Sequence, residues 1–224
     1  LKGEKSGLFV DSWEVETRYI WTKGFGKEFL ERYNYDISPV MAAIYEPEFA
    51  DEHYDYMKLV ADYVLNEFYI PFDKKCNELG AFSRGQCSGA PVDIIDAYAA
   101  MDVPESEAML YEPSFSKIPA SAAALSSKRE ISSETFTCTY GFPDRKEDGT
   151  TDFRKRGEEK ASDLKLVADA LFANGVNQII WHGMPFNPVG VDTNYFYATV
   201  HVGTAGNLSK DMKGFNEYIE KLSS

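Results

Sequence analysis

The stretch Ser162-Asp163-Leu164-Lys165-Leu166-Val167-Ala168-Asp169-Ala170-Leu171-Phe172-Ala173-Asn174-Gly175, followed by Gln178-Ile179-Ile180-Trp181-His182-Gly183, decides the fold. Leu164, Val167, Ala168 and Leu171 recur at three- and four-residue steps, which predicts a helix over 162–174 with one apolar face. Gly175 supplies its C-terminal cap, because glycine enters the left-handed conformation at no steric cost. The short apolar run after it reads as a strand ending in a Gly/Pro-rich loop. Amphipathic helices alternating with short apolar runs argue an α/β fold.

The same alternation runs upstream. Gly7-Leu8-Phe9-Val10 is a strand candidate, and 26–33 reads as a helix with Phe25, Phe29 and Leu30 on one face. A long helix is expected over about 51–79, with Tyr56, Leu59, Val60, Tyr63, Val64 and Phe68 at helical spacing and Pro71 kinking or splitting it. Strand candidates follow at 81–86, 101–103 and 130–134, with helices at 91–100 and 117–128 and a charged loop at 145–157. That makes about five β-then-α units, whereas a closed (β/α)8 TIM-type barrel takes eight strands, typically in about 250 residues. Five parallel strands alone leave open edges and an unfilled interior. The chain is therefore expected to form one catalytic-barrel domain over 1–224, the C-terminal part of a barrel whose first strands lie outside it, and not to fold alone.

Composition excludes some partners. A net charge of -13 repels a nucleic-acid backbone or an anionic membrane. No run reaches about 18 uninterrupted apolar residues, so no membrane span is expected. Leu1-Lys2-Gly3-Glu4-Lys5 is not a signal peptide. Cys76, Cys87 and Cys138 form no CxxC pair and read as buried thiols, and His53, His182 and His201 do not join them at zinc-ligand spacing.

Polar residues gather at the C-terminal ends of the strand candidates: Asp11 and Glu14, Gln86, Glu105 and Glu107, Glu134, and His182. In barrels of this architecture such positions carry the chemistry. Cleaving a glycosidic bond needs two carboxyl groups, one to protonate the leaving oxygen and one to attack or to activate water. Each residue also has a plainer reading. Glu14 suits a loop cap after Trp13, Glu107 a helix N-terminus, Glu134 an ion pair with Arg129 or Arg145, and His182 a structural hydrogen bond. Trp13 and Trp181 suit core packing as well as a sugar face.

Four blocks carry a family resemblance. The first is Asp11-Ser12-Trp13-Glu14-Val15 with Trp21-Thr22, Gly24-Phe25 and Tyr35-Asp36. The second is Gln86-Cys87-Ser88-Gly89-Ala90-Pro91 with Asp102-Val103-Pro104-Glu105-Ser106-Glu107. The third is Ser121-Ala122-Ala123 with Ser133-Glu134-Thr135-Phe136-Thr137, and the fourth is Gly175-Val176-Asn177 with Trp181-His182 and Asn187-Pro188. In order and spacing they resemble family 106 glycoside hydrolases, whose known members are α-L-rhamnosidases. Ser88 stands where the family block has His, Cys87 where it has Ala, and Asn34 where a turn has Gly.

The resemblance implies a catalytic barrel within a longer, multidomain, secreted or periplasmic polypeptide. It implies an inverting hydrolase of α-L-rhamnosides or a related deoxysugar in plant or microbial glycans, often calcium-dependent. Carried over, Glu14 is the general-acid candidate. Glu134 and one of Glu105 or Glu107 position and activate water. Asp11 and His182 bind sugar hydroxyls, joined at the site by Trp13, Gln86 and Trp181. The resemblance places no metal ligands. Beside it stands a second class of function, a non-catalytic carbohydrate-binding barrel derived from such an enzyme.

Overall fold

Residues 6–15, 17–109, 112–139, 144–145, 147–148, 151–152, 158–183, 200, 202–203 and 206–223 are described from a computed structural model. Leu1 to Lys5, His201, the Asn187-Pro188 pair and most of the 145–157 loop lie outside them. The chain divides into two compact units, residues 1–102 and 103–224.

In the first unit, β1 (Ser6–Val10) pairs in parallel with β2 (Ala81–Gly85). Between them run α1 (Phe25–Tyr33), α2 (Ala50–Val64) and α3 (Ile70–Glu78), and α4 (Ile94–Ala100) follows β2. The expected stripe of α1 is half right. Phe25 and Phe29 are buried, but Leu30 is 48% exposed. An aromatic cluster forms around Phe25, with Trp21, Tyr56 and Tyr63 ring centroids 4.7, 5.7 and 5.6 Å away. The Tyr56 hydroxyl donates to Ile20 O at 2.8 Å and accepts from Ile20 N at 2.7 Å, pinning the segment before α1.

The long helix is split at the place Pro71 demands. Proline has no N–H to donate, and its ring crowds the carbonyl of Glu67 four residues back. The chain answers with a π turn, Leu65–Tyr69, between α2 and α3. One extra residue in that turn rotates the apolar stripe, so Phe68 is 40% exposed and Tyr69, five residues after Val64, is buried instead. The helix at 91–100 starts later than expected, at Ile94. Asp93 is its cap, accepting from Ile95 N at 3.0 Å and Asp96 N at 3.3 Å.

In the second unit, β3 (Val103–Met109), β4 (Ser132–Thr137) and β7 (Gln178–Trp181) pair in parallel in that order. α5 (Lys117–Leu125) joins β3 to β4, and α6 (Ala161–Ala173) precedes β7. Two short antiparallel strands, β5 (Asp144–Arg145) and β6 (Thr151–Asp152), lie between β4 and α6. The α6 face is as expected, with Leu164, Val167, Ala168 and Leu171 buried and Gly175 at φ +100°. A helix not anticipated from the sequence, α7 (Met212–Leu222), adds Phe215 to that core.

β3 departs from expectation. The strand does not end at Val103 but runs on through Pro104, Glu105, Ser106 and Glu107. Glu134 likewise sits inside β4 and not at its end. The three free cysteines are buried thiols, as expected. No helix among the described residues is long and apolar enough to cross a membrane.

Candidate active site

Side chains alternate along a strand, so Glu105 and Glu107 share one face of β3 and Ser132 and Glu134 share the matching face of β4. Register places Glu105 beside Ser132 and Glu107 beside Glu134. On β7, Ile180 lies beside Glu134, and His182, two residues on, returns to the same face. The opposite face meets α6 and α7, where Ala108, Ile179 and Trp181 pack with Leu164, Leu171 and Phe215. One side of this sheet is thus apolar and the other acidic.

On the acidic side three groups converge. A ligand atom from each of Glu107, Glu134 and His182 lies within 4.8 Å of the other two. His182 Nδ1 is 2.6 Å from Glu134 Oε1 and 2.8 Å from Thr137 Oγ1. The short contact to Glu134 requires a shared proton, because an imidazole lone pair and a carboxylate oxygen repel. The side chains of His182 and Glu134 are 19% and 14% exposed, so the pair is reachable by a small solute yet largely withdrawn from water. The nearby Glu107 carboxylate adds to burial in pushing the Cys138 thiol up, burial being the larger cause.

Glu105 differs from its neighbour. It is fully buried, and its Oε2 accepts from Ser132 Oγ at 2.6 Å. Trp181 faces the core, 4.5 Å from Phe136 and 5.8 Å from Phe215 between ring centroids. Thr137 closes the Ser133–Thr137 block of the sequence. Its part in the cluster depends on a backbone irregularity that residue types do not announce.

The remaining sequence candidates lie in the first unit. Asp11 and Glu14 are exposed on the loop after β1, where Asp11 Oδ1 accepts from Ser12 N at 2.8 Å and Glu14 Oε1 accepts from Ser12 Oγ at 3.4 Å. Trp13 is half-buried edge-on to Phe68, with its N–H donating to Ser88 O at 3.0 Å. Gly89 makes this approach feasible. It sits at φ +79°, and a Cβ there would fall 2.7 Å from Trp13 O. Gln86 is buried, with its N–H on Val10 O at 3.0 Å. The Ser88 that stands for the family's His therefore holds the Trp13 loop through its backbone.

A hard cation such as calcium takes about six to eight oxygen ligands. Among the described residues the cluster whose donor atoms lie close enough to hold a metal ion is Glu107, Glu134 and His182. It offers two carboxylates and an imidazole nitrogen already hydrogen-bonded to one of them. That donor set does not fit calcium.

Comparison with known proteins bears on this arrangement. A solved structure of a rhamnosidase from Novosphingobium sp. PP1Y superposes with a TM-score of 0.73 at 19% sequence identity, covering 97% of this chain and 21% of that one. The chain thus spans about a fifth of that protein's length, and the likeness shows a shared fold. Curated protein sequences give no match. The family model described as alpha-L-rhamnosidase, glycoside hydrolase family 106, matches residues 2–198. On that match, which takes in the Glu107, Glu134 and His182 cluster, the chain belongs to glycoside hydrolase family 106.

Proposed function

We propose that this chain is part of a (β/α)8-type catalytic barrel that hydrolyses α-L-rhamnosides, or a closely related deoxysugar, with inversion at the anomeric carbon. The observation that carries the proposal is the convergence of Glu107, Glu134 and His182 from three adjacent parallel strands onto one acidic face.

Distance divides the roles. An inverting pair of carboxyl groups stands roughly 6.5 to 9.5 Å apart, leaving room for water. Carboxylate oxygens of Glu107 and Glu134 approach within 4.8 Å, too close to be the two members of an inverting pair. Both therefore belong to the water side. Glu134 is the general base, His182 orients its carboxylate, and Glu107 holds the attacking water or a sugar hydroxyl. Burial and the Ser132 bond assign Glu105 to support. The general acid comes from another segment, and Glu14, exposed on its loop, is the assignment. Asp11 and Trp13 adjoin it as sugar contacts. In the step itself, water loses a proton to Glu134 as its oxygen bonds the anomeric carbon. The glycosidic C–O bond breaks, and the leaving oxygen takes the proton of Glu14.

Oxygen donors other than this cluster would have to meet any calcium requirement. We further place the enzyme outside the cytoplasm, where polymeric glycans lie.

The test is hydrolysis of an α-L-rhamnoside panel by the intact polypeptide, with product anomers followed by NMR. Glu134→Gln is expected to lower kcat by about 10² to 10⁴ with sugar binding retained. Undiminished turnover in Glu134→Gln refutes the base assignment. Binding without turnover by the wild-type protein would make it a carbohydrate-binding barrel.

A further inference from the structure

β4 carries a fault in its register. Ala108 of β3 lies opposite Thr135, but the next β3 residue, Met109, lies opposite Thr137. Phe136 is left over, a β-bulge, and it sits at φ +71° where a bulky residue is strained. Cys138, on the other side of Thr137, is also left-handed, at φ +45°.

The bulge exchanges two side chains. Without it, alternation from Glu134 would put Phe136 on the acidic face and Thr137 among the helices. With it, Phe136 is buried in the apolar core, 4.5 Å from the Trp181 ring and 5.8 Å from that of Phe215. Thr137 turns to the acidic side, and its Oγ1 comes within 2.8 Å of His182 Nδ1. Core packing of one aromatic ring and delivery of one hydroxyl to the site are thus a single backbone event. Strain of this kind persists only where the surroundings over-determine it. The Phe136–Trp181–Phe215 contacts supply that support.

We propose that Thr137 is a positioning residue for hydrolysis, acting through His182 on the Glu134 base; this rests on the reading of Glu134 given above. A hydroxyl both donates and accepts. With the shared proton on the ring, Thr137 Oγ1 accepts from Nδ1–H beside Glu134 Oε1; with it on Glu134, the single Nδ1 lone pair accepts from one of the two hydroxyls at a time. Thr137 thereby holds the imidazole in one orientation through both proton positions, and His182 keeps the Glu134 carboxylate aimed at water. Valine has the same shape and offers neither function. Serine keeps the hydroxyl.

The experiment compares Thr137→Val, Thr137→Ser and Glu134→Gln in the intact enzyme, with thermal melts to confirm folding. Thr137→Val is expected to lower kcat about 10- to 100-fold with KM within about twofold, as for misplaced catalytic groups. Thr137→Ser should stay within about threefold of wild type. The ¹⁵N shifts of the His182 ring, assigned by their loss in His182→Gln, should move in Thr137→Val and not in Thr137→Ser. Should Thr137→Val not fold, Thr137→Ser and its ring shifts decide. A serine variant as damaged as the valine variant, or ring shifts unchanged by valine, overturns the proposal. If Glu134→Gln is inactive while Thr137→Val turns over normally, the Thr137 inference fails alone. If Glu134→Gln is fully active, the reading of the base fails first.

Discussion

The two units handle acidic groups in different ways. The first displays Asp11 and Glu14 on an exposed loop, half-buries Asp73 and Asp102 against Ser83, and fully buries only neutral groups such as Tyr56, Tyr69, Tyr98, Cys76 and Cys87 among its described residues. The second builds Glu105, Glu107 and Glu134 into the strands themselves and meets them with Ser132, Thr137 and His182. An exposed carboxyl on a loop can approach a substrate and trade protons with solvent. A carboxyl on a strand face is held in place and partly stripped of water, which suits a base that must stay aimed. On the roles proposed above, the acid candidate is the solvated group and the base candidate the one withdrawn from water.

The largest expected effect tests that division from the loop side. If Glu14 protonates the leaving oxygen, Glu14→Gln should lower kcat about 10² to 10⁴ on an alkyl rhamnoside. It should lose little on an aryl rhamnoside whose phenol departs without a proton. Because Glu14 is exposed, the melting temperature should not move. Equal losses on both substrates would remove Glu14 as the acid and leave its loop with sugar binding alone.

An intermediate effect tests the strand side. Glu105→Ala should cost about 2–4 kcal/mol of stability, from the cavity and from the Ser132 hydroxyl left buried without its acceptor. Glu14→Ala should fall within about 0.5 kcal/mol of wild type, as surface substitutions do. Urea unfolding of both variants measures the contrast. A Glu105→Ala protein as stable as Glu14→Ala would mean that the strand acids do not hold the sheet together.

The sequence made some of this legible. Helix faces such as Leu164, Val167, Ala168 and Leu171 repeat over several turns, so each residue reinforces the others, and Gly175 marks the stop. The identity of Glu107, Glu134 and His182 as candidates also followed from strand order and family blocks. One-residue shifts were not legible. The π turn at Leu65–Tyr69 exchanges Phe68 for Tyr69, and the β4 bulge exchanges Phe136 for Thr137. In both cases residue types on either side are unchanged, and packing elsewhere selects the register. The strand over Val103–Met109 was cut short because Pro104 and two acids read as a strand end. Its buried Glu105 is met by Ser132 from β4, a partner 27 residues away. The helix Met212–Leu222 did carry a signal, since Met212, Phe215, Tyr218, Ile219 and Leu222 fall at helical spacing.

The smallest expected effect concerns the fully buried neutral groups of the first unit. Burial pushes the Cys87 thiol up to about 12, against a weaker lowering from its hydrogen bond with Tyr69. An unfolded thiol titrates near 8.5, so the folded chain holds a proton that the unfolded chain releases. Because the folded value is the higher one, this stabilising contribution is complete below about pH 8.5 and is lost as pH rises through the folded value. Native Cys87 should therefore resist a thiolate-specific alkylating reagent at pH 8 and react promptly once urea unfolds the chain, with the labelled site read by peptide mapping. Prompt native labelling at Cys87 would place water in that interior. The contrast between a first unit that buries neutral groups around Cys87 and a second unit that fully buries Glu105 would then weaken.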